Sequence, residues 1–126
     1  MNTITPYDLI GGEQAIINLV DRFYFFMDNL PEAQGIRSIH QPSLDSAKNK
    51  LFKYLSGWLG GPDLFVEEFG HPMLRARNLP FAIGESERDQ WMLCMNKALD
   101  EITMDPRLKS NLQAALQQLA THMINQ

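Results

Sequence analysis

The sequence predicts an all-α fold, on two observations. Apolar residues recur at intervals of three and four instead of alternating, and seven prolines divide the chain into segments of helical length. With 126 residues, 44% of them apolar, the chain suits a single domain over 1–126, large enough for one core and one enclosed ligand.

The elements follow in order. After Gly11-Gly12, residues Ile16, Leu19, Val20, Phe23, Tyr24 and Met27 share one face of a helix expected to end near Leu30. Pro31, at a first-turn position, opens a shorter helix to about Ile39. A third helix, capped by Ser43 or Asp45, carries Leu44, Ala47, Leu51, Tyr54, Leu55 and Trp58, and Gly60-Gly61-Pro62 stops it. Residues 62–81 are too broken for one long helix: Pro72 can open a short piece, and Pro80 forbids its continuation. Glu85 or Ser86 begins a helix bearing Trp91, Cys94, Met95, Ala98, Leu99 and Ile102. Asp105-Pro106 then reads as a cap and first-turn pair for a last helix striped by Leu108, Leu112, Ala115, Leu116, Leu119 and Met123. Each helix is amphipathic, so they must pack around a shared interior.

Composition narrows the function. Eleven basic against fifteen acidic residues leave a net charge of -4 and no Lys/Arg cluster, which argues against nucleic acid as the main partner. No apolar run approaches a membrane span, and the first residues lack a signal-peptide layout, so a cytoplasmic location is expected. Cys94, the single cysteine, cannot form an internal disulfide; in an apolar stretch it reads as a small core residue. There is no Gly-rich phosphate loop, no HExxH and no GxSxG. His40, His71 and His122 are too scattered for a zinc site. The two glycine pairs sit at helix junctions, where positive φ or close backbone approach is needed. Tyr24, between Phe23 and Phe25, and Trp91 each carry a donor to be satisfied inside the core or aimed at a ligand. Sequence pattern alone favours the core.

In order and spacing, several segments together resemble the group II truncated haemoglobins over nearly the whole chain. They are Tyr7-Asp8-Leu9-Ile10-Gly11-Gly12, Arg22-Phe23-Tyr24, Trp58-Leu59-Gly60-Gly61-Pro62, Gly70-His71-Pro72 with Leu74-Arg75-Ala76-Arg77, Pro80-Phe81, and Glu87-Arg88-Asp89-Gln90-Trp91 with Cys94-Met95. The resemblance implies a shortened globin fold, a two-over-two helical sandwich enclosing haem b. It makes Tyr24 and Trp91 the distal donors to a bound small ligand. His40, or its neighbour Ile39, falls at the corner position where this group carries a tyrosine, histidine or phenylalanine. Ala47 and Leu51 then face the distal side, Phe52, Tyr54 and Leu55 pack near the macrocycle with Phe81, and Arg75 or Arg77 pairs with a propionate.

One departure matters. The family's Arg-x-Arg motif precedes the iron-binding histidine; here it reads Arg75-Ala76-Arg77-Asn78-Leu79-Pro80-Phe81, with Asn78 in the ligand's place. An amide is a much weaker axial donor than a neutral imidazole. Three outcomes follow: haem held mainly by apolar walls with Asn78, water or a distal residue on iron; His71 swinging in as a substitute; or loss of haem, leaving a globin-fold interaction or apolar-ligand-binding protein. The resemblance implies a haem protein that binds dioxygen or another small diatomic ligand. Peroxidase or nitric oxide dioxygenase activity would need an electron donor, and so a reductase partner, that the chain does not contain. Stripe residues of the terminal helices could support a homodimer, but most are needed for the core.

Overall fold

Thr5 starts the first helix by a reciprocal cap. Its hydroxyl oxygen accepts from the Asp8 amide at 3.2 Å, and the Asp8 carboxylate accepts from the Thr5 amide at 3.3 Å. Helix α1 (Pro6–Ile10) ends at Gly11, whose φ of 116° lies in the left-handed region that favours glycine. The computed structural model describes residues 4–71 and 83–124. Among these it contains seven α-helices, one 3₁₀ turn and no strand.

Helix α2 (Gly12–Asn29) buries the whole predicted face from Ile16 to Met27. Pro31 then opens a 3₁₀ turn (Pro31–Ala33) followed by α3 (Gln34–Ser38), where the sequence suggested one continuous helix. Helix α4 (Asp45–Trp58) is preceded by Leu44 as its cap residue, not by Ser43 or Asp45. The Leu44 carbonyl already accepts from the Lys48 amide at 2.9 Å, and the Ser43 hydroxyl accepts from the Asp45 amide at 3.3 Å, just outside the helix. Helix α5 (Leu64–Phe69) is the one regular piece described between Pro62 and Pro72; the expected break at Pro72 and Pro80 lies outside the described residues. Helix α6 (Glu85–Asp100) follows Gly84, whose amide donates to the Glu87 carboxylate at 2.8 Å. Helix α7 (Pro106–His122) is capped as anticipated, the Asp105 carboxylate accepting from the Arg107 amide at 2.8 Å.

Helix α2 packs against α4 and α6, and α6 against α7. These two pairs, α2 with α4 and α6 with α7, make the two-over-two sandwich. Phe23, Met27, Met95 and Leu99 lie at its centre, fully buried. One wall is thin. Of the fourteen residues of α4 only Leu55 and Ser56 are buried, and the rest of its apolar stripe is half-covered. No helix of the described residues is long and apolar enough to cross a membrane.

Candidate ligand cavity

The half-covered stripe of α4 faces a cavity of about 630 Å³, within the range of roughly 300–1,000 Å³ that small-molecule sites take. Tyr24 reaches it from α2, His40 from the turn after α3, Ala47, Leu51 and Tyr54 from α4, and Trp91 from α6. Both His40 and the alternative Ile39 touch it. Six of the sequence-predicted site residues therefore converge on one space. Two others do not line it: Leu55 is sealed into the core and Phe52 packs against that core. Successive helical residues are turned by 100°, so the face carrying Leu51 and Tyr54 cannot also present its neighbours. His71 is exposed, one residue past Gly70, and is not among the described lining. Asn78, Arg75, Arg77 and Phe81 lie outside the described residues.

Aromatic edges hold the polar groups in place. The Phe23 ring meets Tyr24 edge-on with centroids 4.8 Å apart and Trp91 at 5.1 Å, and Tyr24 meets His40 at 5.9 Å. The Tyr24 hydroxyl donates to the Ala47 carbonyl at 3.4 Å, a long and weak bond. Burial raises the phenol's pKa well above its usual value, so it stays a protonated donor. Trp91 is only 8% exposed, yet its indole N–H forms no hydrogen bond among the described residues. Tyr24 and Trp91 thus line the cavity with one phenol O–H held by a single long bond and one indole N–H without a hydrogen bond among the described residues. That phenol and indole both need a partner is legible in the sequence; that the phenol's partner is the Ala47 carbonyl is decided by the fold.

His40 is fixed differently. Its Nδ1 lies 2.9 Å from the Ile36 carbonyl oxygen. A carbonyl can only accept, so Nδ1 carries the proton. Burial lowers the imidazole's pKa, and the nearby Arg37 charge adds to this against the opposing pull of the Ile36 carbonyl. Burial thus favours the neutral ring, in which Nε2 keeps its lone pair. Behind it, the Ile36 amide donates to the Gln90 side-chain oxygen at 2.8 Å, and the Gln90 amide donates to the Ser86 hydroxyl at 2.9 Å. A Cβ on Gly35 would come within 2.8 Å of that Gln90 oxygen, so glycine lets α3 close onto α6. The strap Gln90–Ile36–His40 leaves no sequence signal beyond a glutamine one residue before Trp91, because it spans 54 residues.

Other groups fall into place around this centre. Lys50 and Arg88 bring positive charge to the wall. Arg88 also pairs with the Asp89 carboxylate at 3.0 Å, and Glu87 is engaged with the Gly84 amide. Phe65 and Phe69 on α5, Leu119 on α7 and Met123 after it complete an apolar surround that the sequence reading did not single out. Cys94 is fully buried in the core away from the cavity, and burial pushes its thiol pKa up to about 11, as its apolar neighbours suggested. Among the described residues no three His, Cys, Asp or Glu side chains gather to hold a metal ion.

A large apolar hollow with a few convergent donors and a cationic rim fits a flat, largely apolar group that carries anionic ends. Known proteins point the same way. The family profile of the bacterial-like globins matches residues 5–125. The group 2 truncated hemoglobin YjbI of Bacillus subtilis (strain 168) is 39% identical over 121 residues, covering 96% of this chain and 89% of that protein. A cold-adapted truncated hemoglobin from the Antarctic marine bacterium Pseudoalteromonas haloplanktis TAC125 superposes with a TM-score of 0.94 at 48% identity, covering 98% of this chain and 99% of its own. A group II 2-on-2 hemoglobin from the plant pathogen Agrobacterium tumefaciens superposes with a TM-score of 0.95 at 44% identity, covering 100% and 98%.

Proposed function

The chain belongs to the bacterial-like globin family as a group II truncated haemoglobin, and from that membership we propose that it binds haem b in this cavity and, through it, dioxygen or another small diatomic ligand. The observation that carries the reading is that Tyr24, whose hydroxyl makes only one long bond, and Trp91, whose N–H makes none among the described residues, line one apolar space. Haem supplies an iron whose bound ligand gains partial negative charge. Tyr24 and Trp91 would donate to that charge, in surroundings whose low polarity strengthens both bonds. Leu51, Tyr54, Phe65 and Phe69 would exclude water from its apolar faces. Lys50 and Arg88, with Arg75 or Arg77, are the cations offered to the propionates.

Asn78 is the observation that favours a second reading. If its amide replaces the usual imidazole, the pocket holds its cofactor weakly, and a haem-free globin-fold module that binds a partner or an apolar ligand becomes the alternative. Peroxidase or nitric oxide dioxygenase chemistry stands behind both, since it requires an outside reductase. Absorption spectra during hemin titration of the native protein and of Asn78→His separate these readings. A saturable Soret band in the native protein supports the haem reading, and a band shift in the variant supports residue 78 lying beside the iron. A colourless native protein beside a coloured variant supports the haem-free module, and failure of both sinks the haem reading.

A further inference from the structure

We propose that Gln90 is a positioning residue for the ligand side of the cavity. It caps α3 from a neighbouring helix and so holds His40 as the Nδ1–H tautomer, which leaves Nε2 as an acceptor on the wall that Tyr24 and Trp91 share. The action on a ligand rests on haem occupying the cavity. Helix α3 has five residues, and its own cap residue, Ala33, makes no side-chain hydrogen bond. A helix that short does not hold itself together in water, because nucleation outweighs the few bonds it closes, and its first amides need acceptors from elsewhere. Gln90 on α6 supplies one: its side-chain oxygen accepts from the Ile36 amide at 2.8 Å. The far end of the same helix is closed by His40, whose Nδ1–H donates to the Ile36 carbonyl at 2.9 Å. Ile36 is thus capped at its amide by Gln90 and at its carbonyl by His40, so loss of the first loosens the second.

The glutamine is itself oriented. Its amide group donates to the Ser86 hydroxyl at 2.9 Å, which turns the side-chain oxygen toward Ile36. Arg37 ties down the chain on the other side of His40: its guanidinium donates to the Gln41 and Pro42 carbonyls at 2.9 and 2.8 Å and to the Asp28 carboxylate at 2.9 Å. None of those bonds reaches the imidazole, so the choice of tautomer is left to the Ile36 carbonyl. Of the three histidines only His40 is among the described lining of the cavity, and its ring meets Tyr24 edge-on. Nε2 has no hydrogen-bond partner among the described residues. An imidazole protonated at Nδ1 accepts at Nε2, whereas one protonated at Nε2 would donate there. What the wall offers a small ligand on haem depends on that choice.

The tautomer is read without cofactor, from nitrogen chemical shifts of the full haem-free chain with ¹⁵N-labelled histidine at pH 8, above the ordinary imidazole pKa of about 6.5. His40, identified by the signal lost in His40→Gln, should be the Nδ1–H form. Gln90→Met keeps the length of the side chain and removes both of its bonds. It should move the His40 ratio toward Nε2–H by about fivefold, the worth of one ordinary hydrogen bond, with His71 and His122 unmoved. Gln90→Glu keeps the acceptor for Ile36 and can take the Ser86 O–H, so it should restore the native ratio. Ser86→Ala frees the glutamine without removing it; a smaller shift in the same direction is expected, and it covers the case in which Gln90→Met fails to fold. In the hemin-loaded, reduced protein the probe is carbon monoxide. An N–H beside the bound gas draws electron density into it and lowers its stretching frequency, so Gln90→Met should gain a lower-frequency band that the native protein and Gln90→Glu lack. The Nε2–H tautomer in the native protein, a ratio unchanged in whichever of Gln90→Met and Ser86→Ala folds, a Gln90→Glu ratio like that of Gln90→Met, or a shifted ratio with unchanged carbon monoxide bands overturns the proposal and leaves the haem reading standing. No saturable hemin uptake overturns the haem reading and the ligand step with it, while the tautomer ratios still decide whether Gln90 holds His40.

Discussion

Trp91 packs against the Phe23 ring and lines the cavity, and its N–H has no hydrogen bond among the described residues. Trp91→Phe keeps most of the packing and removes the donor. It is expected to shift the melting temperature of the haem-free protein little, while dioxygen leaves the hemin-loaded, reduced protein about tenfold faster, one hydrogen bond of roughly 1–1.5 kcal/mol. Stopped-flow displacement of dioxygen measures this, and an unchanged rate would count against the indole as a donor. Cys94 makes the opposite case, a reactive group type rendered inert. With its pKa at about 11, only about one molecule in a thousand carries a thiolate at pH 8, so iodoacetamide should label it only on unfolding. The same shift bears on stability. The unfolded thiol ionises near pH 8.5, roughly the ordinary value, while the folded one holds its proton to higher pH. The stabilisation is therefore complete below about pH 8.5 and is lost as pH rises toward 11. Melting temperatures between pH 8 and 11 should fall less steeply in Cys94→Ala than in the native protein; equal slopes would show that Cys94 does not drive the decline.

The helices differ in how much of their placement is local. Asp105-Pro106 sets the start of α7 by itself, and Asp105→Ala should cost about 1 kcal/mol in chemical unfolding, the usual worth of a cap. The junction after α4 depends on a distant partner. The Tyr7 amide donates to the Leu59 carbonyl at 2.9 Å, and the Tyr7 ring lies so close to Gly61 that a Cβ there would overlap it. Gly61→Ala should therefore destabilise by about 1–3 kcal/mol, the usual range for overpacking. Adding Tyr7→Ala should recover part of that loss, and strict additivity in the double variant would rule out the contact as the cause. The glycine pair could be read in the sequence as a junction, but not that the tyrosine of the first helix is what it accommodates. The start of α4 went the other way: Ser43 and Asp45 are good capping types, yet Leu44 occupies the cap position, its carbonyl accepting from the Lys48 amide with no side-chain cap.

For the molecule as a whole, α2 and α6 form the sealed centre, while α4 shows its apolar face to the cavity. Local stability should follow that division. In the haem-free protein, amide hydrogens of α4 are expected to exchange well before those of α2 and α6, and hemin should slow α4 most. Uniform protection across the three helices would refute the picture of α4 as a wall completed by its ligand. Binding to the folded state alone should also raise stability by about 2.7 kcal/mol at a free hemin concentration of a hundred times Kd, visible as a melting temperature that climbs with hemin.

The sequence by itself determined the helical class, the buried face of α2 from Ile16 to Met27 and the cap of α7, and six of the residues its resemblance nominates also line the described cavity. These follow from periodicity, capping chemistry and local spacing, which act over a few residues. Only the tertiary structure decided that Leu55 is core while Leu51 is cavity wall, that Trp91 keeps a free N–H, and that Gln90 holds the Ile36 backbone behind His40. Each of these depends on which groups from distant parts of the chain meet at hydrogen-bonding or van der Waals distance, and a linear pattern of residue types does not encode that meeting.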